Sequence, residues 1–111
     1  MIRVYGSPQS RAFRTLWMLD ELGLAYDNVP MDTHAGDTRR PEFLALNPNG
    51  RVPTLVDDDV VVWESMAINL YLAARYGGDL WPSSLADQSR ATMWSFWVVN
   101  ELEELDRKSV V

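Results

Sequence analysis

Apolar and polar positions follow distinct rhythms along this chain, and the rhythm changes wherever glycine and proline interrupt it. Residues 2 to 5, IRVY, read as a short buried strand that Gly6-Ser7-Pro8 breaks. From Arg11 to Leu22, Phe13, Leu16, Trp17, Leu19 and Leu22 recur near helical spacing, with Arg14, Asp20 and Glu21 turned elsewhere and Gly23 as a C-terminal stop. Residues 25 to 31 carry a second strand, and the strand-helix-strand order implies a parallel, right-handed crossover. Between Thr33 and Asn49 the chain is polar except for Phe43, Leu44 and Leu46, which suits a brief irregular helix over one face. Residues 53 to 56 and 60 to 63 are β-rich runs separated by Asp57-Asp58-Asp59, the pattern of an antiparallel hairpin. A helix from Ser65 to Tyr76 is apolar on much of its circumference and ends at Gly77-Gly78.

After that point the strand signals stop. Residues 79 to 86 read as a linker, and a new helix runs from Asp87 to Lys108. Trp94, Phe96, Trp97, Val98, Val99, Leu102 and Leu105 spread over more than one of its faces, so this helix expects partners. The organisation expected from this pattern is a mixed α/β domain over residues 1–78, a linker over 79–86, and a separate helix over 87–111.

Composition narrows the functions open to the chain. Its 111 residues can bury about 60–70% of the unfolded surface, enough for one core. A net charge of −6 and a pI near 4.6 give no electrostatic footprint for nucleic acid or an anionic membrane. The longest apolar run falls short of the roughly 18 residues that span a bilayer. Met1 leads straight into a strand without a basic and apolar leader, so a cytoplasmic location is expected. Zero cysteines exclude disulfides, thiolate metal sites and a cysteine nucleophile. His34 stands alone in the polar stretch HAGDTRRP, and three successive residues such as Asp57, Asp58 and Asp59 cannot all face one ion, so no metal site is expected.

The segment Asn47 to Leu55, NPNGRVPTL, carries the first chemical signal. Pro53 has no N–H and cannot continue a ladder, which holds the backbone of Val52 open as donor and acceptor for an extended peptide. Nine residues beyond Leu55, Glu64 offers a carboxylate for a ligand ammonium. Ser65, at the start of a helix, offers a hydroxyl and backbone N–H groups for a ligand carboxylate. One small zwitterionic peptide would satisfy both.

In order, the strand IRVY, the turn GSPQS, the helix RAFRTLWMLDELGL, the strand AYDNVPMD, the segment PEFLALNPNGRVPTLV and the helix ESMAINLYLAARYG resemble the amino-terminal half of cytosolic glutathione transferases. The resemblance runs from Met1 to about Gly78. It implies a thioredoxin-like βαβ-α-ββα domain followed by the start of an all-helical domain. It also implies binding of glutathione as co-substrate, with no metal or other cofactor. A thiol of pKa about 8.5 is only ~3% ionised at pH 7, and lowering that pKa by about two units takes ~2.7 kcal/mol of differential stabilisation. In the serine-using classes, theta, zeta and phi, a hydroxyl at the start of the first helix supplies part of it. Ser10 aligns with the zeta and phi patterns and gains from the helix dipole. Ser7 aligns under the theta pattern, with Arg11 then matching an arginine of that class. Either serine could instead simply cap the helix. Tyr5 lies too early to be the tyrosine of other classes. By the same resemblance Val52-Pro53 matches the family's cis-proline clamp, Glu64 takes the ammonium and Ser65 the carboxylate of the γ-glutamyl group. Arg51, and Arg39 or Arg40, are candidates for the glycyl carboxylate.

The resemblance implies a glutathione S-transferase acting on a small electrophile. A homodimer joined through helices 65–76 and 87–108 is expected with it. Detoxification, isomerisation and peroxide reduction are all open to such a protein. The alternatives are a non-catalytic transferase-fold interaction module, using the broad apolar helix near residues 91 to 105, and a truncated, inactive fragment.

Overall fold

In the computed structural model, which describes residues 1–102, strands β1 (Ile2–Tyr5), β2 (Tyr26–Val29), β3 (Thr54–Asp57) and β4 (Val60–Trp63) form one sheet in the order β2-β1-β3-β4. β1 runs parallel to β2, from Ile2 opposite Tyr26 to Tyr5 opposite Val29. It runs antiparallel to β3, with Val4 opposite Leu55 and Tyr5 opposite Thr54. Ile2 and Val4 are buried while Arg3 is exposed, the two-residue alternation of a strand with one face on the core. Val4 and Leu55, paired at the centre of the sheet, are both fully buried.

Helix α1 (Ala12–Glu21) makes the parallel crossover and buries Ala12, Thr15, Leu16 and Leu19. The periodicity alone pointed to a stripe through Phe13 and Trp17. Those two rings instead lie outside it, 55% and 58% exposed and stacked on one another at 6.0 Å. The reason is steric: small Ala12 and Thr15 let the helix approach closely where a phenyl or indole ring would hold it off. The Thr15 hydroxyl donates to Asn69 Oδ1 of α3 (Ser65–Tyr76) at 3.3 Å, so α1 and α3 lie side by side. Tyr26 donates to Asp20 of α1 at 3.3 Å, and burial first, then the Asp20 charge, hold its phenol above the ordinary value. Helix α2 (Pro41–Leu46) begins on proline, whose fixed φ suits a first helical position, and buries Phe43 against the Tyr5 ring at 5.7 Å. A 3₁₀ turn at Asp37–Arg39 precedes it.

The hairpin is tighter than Asp57-Asp58-Asp59 suggested. Asp57 pairs with Val60, so only Asp58 and Asp59 turn, and Asp58 takes a left-handed φ of 54° that aspartate tolerates. Asp57 belongs to β3, is 1% exposed, and accepts a 2.8 Å hydrogen bond from the Tyr71 hydroxyl of α3. A buried carboxylate is stable only when such donors reach it.

The chain divides into two units inside α3, between Leu72 and Ala73. Within the second, a 3₁₀ turn at Gly78–Leu80 leads to α4 (Leu85–Trp97) and a π-helical turn at Val98–Leu102. α4 starts two residues before the expected Asp87 because the Ser84 hydroxyl accepts the Asp87 N–H at 3.1 Å and caps it. None of its side chains is buried; Met93, Trp94, Phe96 and Trp97 are exposed, and the two indoles meet edge to face at 5.6 Å. The remainder of the expected helix, with Leu105, lies outside the described residues.

Replacing Tyr71 by Phe removes a donor from buried Asp57 and is expected to destabilise the fold by about 1–2 kcal/mol in urea denaturation, while Val61→Thr on the exposed edge strand changes it by less than about 0.5 kcal/mol.

Candidate functional site

β1 ends at Gly6, whose φ of +140° few other residues adopt. A Cβ at this position would stand 2.6 Å from the Ala12 methyl, 3.2 Å from the Val52 Cβ and 3.5 Å from Ser10 Oγ. The end of the strand, the start of α1 and the loop carrying Val52 therefore converge on one point with no side chain between them. Both polar groups of Gly6 are held by β2: its N–H donates to the Val29 carbonyl at 2.9 Å, and its carbonyl accepts from the Asn28 amide at 2.8 Å.

Ser7 to Ser10 form a tight turn with Pro8 at its second position, closed by the Ser10 N–H on the Ser7 carbonyl at 3.0 Å. The Ser10 hydroxyl also donates to the Ser7 carbonyl, at 2.7 Å, and accepts the Ala12 N–H at 3.1 Å. The Ser10 hydroxyl thus takes the first N–H of α1, one residue ahead of Arg11 at the N-cap position. The Ser7 hydroxyl makes no hydrogen bond with any described residue.

The Val52-Pro53 peptide is cis. Its loop is held from beneath by Asn47 and Thr54, both fully buried. Asn47 Nδ2 donates to the Arg51 carbonyl at 3.0 Å and to Thr54 Oγ1 at 3.1 Å, and Oδ1 accepts the Asn49 N–H at 2.9 Å. Thr54 Oγ1 in turn donates to the Arg51 carbonyl at 3.1 Å. The Arg51 carbonyl and the Thr54 hydroxyl are both engaged, whereas the N–H and C=O of half-buried Val52 pair with no described residue.

Ser7, Ser10 and Val52 form one side of an open cleft of about 550 Å³; Pro30, Met31 and the loop from Asp32 to Asp37, with His34, form the other. Asp32 and Asp37 are already occupied in shaping that loop. Asp32 Oδ1 accepts the N–H groups of His34 and Ala35 at 3.0 and 3.2 Å. Asp37 accepts the Asp32 N–H at 2.8 Å and pairs with Arg40 at 3.0 Å. Arg40 is thereby committed to the loop. No group of three or more His, Cys, Asp or Glu among the described residues could hold a metal ion.

Of the residues expected from sequence, Ser10 and Val52 are brought together on the cleft, with Ser7 beside them. Pro53 is buried behind Val52. Arg39, Arg51, Glu64 and Ser65 are not on the cleft walls. Arg39 Nη1 would lie 3.2 Å from a Cβ on Gly50, so its guanidinium rests on the turn that leads into Arg51. Tyr5, Thr54 and Trp63 are paired in a row across β1, β3 and β4, so Glu64 is the next residue after that row as Pro53 is the one before Thr54. Glu64 has φ +76°, a left-handed conformation costing about 1–3 kcal/mol in a residue other than glycine. Ser65 is 9% exposed, and its hydroxyl makes no hydrogen bond with a described residue at the N-terminus of α3.

Gly6, Asn28, Asn47 and Thr54 were not singled out from sequence. Asn47 carried a signal: an Asn between a short apolar helix and proline often bonds backbone two residues on, as it does here with Asn49. Nothing local marks Asn28.

A βαβ-α-ββα order with a cis-proline loop beside the end of β1 defines a thioredoxin-like domain. Residues 1–74 match the family described as Glutathione S-transferase, N-terminal domain. Glutathione S-transferase 3 of Zea mays is 42% identical over 97 residues, 84% of this chain and 43% of the relative. The transcriptional regulator URE2 of Saccharomyces cerevisiae is 41% identical over 93 residues, 77% of this chain and 26% of the relative. The solved theta class glutathione S-transferase of Xanthomonas axonopodis pv. citri, with glutathione bound, matches with a TM-score of 0.85 at 37% identity, over 96% of this chain and 52% of that one. The chain belongs to the glutathione S-transferase family. It spans about half or less of the length of these relatives.

Asn47→Ala strips the donors from the Arg51 carbonyl and Thr54 and leaves a buried gap; a loss of about 2–4 kcal/mol in chemical denaturation is expected.

Proposed function

We propose that this chain binds glutathione as an extended peptide against Val52 and holds its thiol as the thiolate, at the start of α1, for attack on a small electrophile. One observation carries the reading: Val52, whose N–H and C=O pair with no described residue, lines the same cleft as Ser7 and Ser10. A half-buried backbone donor and acceptor left open between saturated neighbours suits strand addition by a peptide. The family's glutathione-bound relative supports the identity of that peptide.

In this reading Pro53, lacking an N–H, keeps β3 from extending over Val52. The Glu64 carboxylate and the Ser65 hydroxyl, neither with a partner among the described residues, take the ammonium and carboxylate of the γ-glutamyl group. The N–H groups at the start of α3 add to the carboxylate site. Arg51 and Arg39 receive the glycyl carboxylate. Ser10 donates to the thiolate, giving up its bond to the Ser7 carbonyl, which keeps the Ser10 N–H; the exchange costs about 1 kcal/mol. On hydrogen-bond count Ser7 is the readier donor, since its hydroxyl has nothing to give up. Helix position favours Ser10. Chemistry then proceeds by addition or substitution at the electrophile with no metal and no covalent enzyme intermediate. Glutathione is co-substrate and no other cofactor is needed. A cytoplasmic homodimer working in detoxification completes the reading.

A second reading, a non-catalytic association module, draws on the exposed Trp94, Phe96 and Trp97 of α4 and on a relative named as a transcriptional regulator.

Calorimetric titration of the 111-residue chain with reduced glutathione is expected to show one saturable site per chain. A folded chain that takes up none would put the association module first. Ser10→Ala is expected to lower thiolate-dependent turnover roughly 10–100-fold while changing glutathione affinity only a few-fold. The opposite pattern, loss in Ser7→Ala and none in Ser10→Ala, would assign the thiolate to Ser7.

A further inference from the structure

We infer that Asn28 is a positioning residue for the thiolate-holding hydroxyl, acting through the Gly6–Ser7 peptide. The inference rests on the glutathione-binding reading of the cleft. Asn28 lies in β2 opposite Val4, and one side-chain nitrogen donates twice to the end of β1, to the Val4 carbonyl at 3.1 Å and the Gly6 carbonyl at 2.8 Å. The Gly6 N–H is meanwhile given to the Val29 carbonyl at 2.9 Å. Two adjacent residues of β2 therefore hold both polar groups of Gly6, past the last ladder pair of Tyr5 and Val29.

The orientation of this peptide unit matters for both serines. The Gly6 carbonyl and the Ser7 N–H belong to one rigid plane, so fixing the carbonyl fixes the direction in which the chain enters the Ser7–Ser10 turn. Gly6 packs against Ala12, Val52 and Ser10 Oγ, so a rotation of that plane would press on all three. A backbone carbonyl at a strand end would ordinarily be met by water or a neighbouring strand. Here an uncharged amide with two donors meets it. A carboxylate of the same shape would repel both carbonyls.

The test uses the full chain carrying Asn28→Asp, with Asn28→Ser as a milder variant retaining one shorter donor. Two quantities are read: the pKa of glutathione's thiol in the complex, from thiolate absorbance against pH, and the exchange rate of the Ala12 amide hydrogen, which is bonded to Ser10 Oγ. Asn28→Asp is expected to raise the bound thiol's pKa by about one unit, a roughly tenfold loss of thiolate at a given lower pH. Its glutathione affinity is expected to change less than about threefold, and Ala12 exchange to quicken about tenfold or more. Asn28→Ser is expected to show a smaller shift in the same direction. Ile68→Val, in the core of α3, is the control: it lowers the melting temperature and leaves both readouts where they were.

Unchanged thiol pKa and Ala12 exchange in either folded Asn28 variant would overturn the proposal, as would an equal shift in the Ile68 control. Should Asn28→Asp not fold, Asn28→Ser decides on the same criteria. Should the unmodified chain take up no glutathione, the binding reading fails by itself. Ala12 exchange then decides alone: faster exchange in the Asn28 variants supports the positioning role and unchanged exchange overturns it.

Discussion

A side chain at position 6 would need space already held by the Ala12 methyl, 2.6 Å from where its Cβ would stand, and by Val52 at 3.2 Å. This closeness fixes the geometry of the cleft. β1 ends, α1 begins and the Val52 loop passes within one layer of atoms of each other. Ser10 and Val52 consequently line one volume, with no side chain on Gly6 to separate them. Packing at that density transmits displacement rather than absorbing it. The small residues are part of the same constraint: Ala12 begins the buried face of α1, and the bulky Phe13 beside it is turned to the surface. The cleft also lies where the sheet changes sense, between parallel β1 and β2 on one side and antiparallel β3 on the other. There the crossover helix starts away from the sheet and leaves a crevice, the general position of ligand sites at the carboxyl ends of parallel strands.

Keeping Val52 unpaired requires its neighbours to be over-satisfied. The Arg51 carbonyl receives two donors, Asn47 Nδ2 and Thr54 Oγ1, and Thr54 then enters the ladder opposite Tyr5 and Trp63. Each buried polar group in that knot would cost about 1–3 kcal/mol if left unsatisfied. The arrangement is therefore stable only when complete, and when complete it leaves the Val52 N–H and C=O without a partner among the described residues. A peptide docking there would find the loop already ordered, so little conformational entropy remains to be lost on binding.

Local sequence carries the elements and much less of what holds them. The element order was readable because Gly6, Pro8, Gly23, Gly77 and Gly78 punctuate it, and strand and helix periodicities are local properties. Asp57 was misplaced into the turn because a run of three aspartates looks uniform in sequence. Only the pairing of Asp57 with Val60 and the Tyr71 hydroxyl, fourteen residues away, separates the buried carboxylate from the two that turn. Phe13 and Trp17 were grouped with Leu16, Leu19 and Leu22 in one apolar repeat because apolar character does not say which of two overlapping stripes is small enough to approach the sheet. Ser10 and Val52 could be proposed together through the family's motif order. Their common neighbour Gly6 and its tie to Asn28, twenty-two residues on, depend on the parallel register, which no local window contains.

The groups that would hold glutathione all precede Ala73, whereas the exposed aromatic rings of α4 all follow it. A tryptophan or phenylalanine can bury about 150–250 Å², worth up to about 4–6 kcal/mol at 25 cal/mol per Å², so rings left 44–61% exposed forgo much of that gain. Stabilising a thiolate asks only for a positioned hydroxyl, a helix N-terminus and a clamp on the peptide carrying the thiol. In the proposed reading the sheet end would supply them, and hydrogen bonds within the first unit hold it. Recognition of an electrophile or a protein partner would call instead on apolar surface. In the proposed reading ligand holding and surface recognition draw on different residues and different forces, and relatives of almost equal identity to this chain carry the names of a glutathione S-transferase and of a transcriptional regulator.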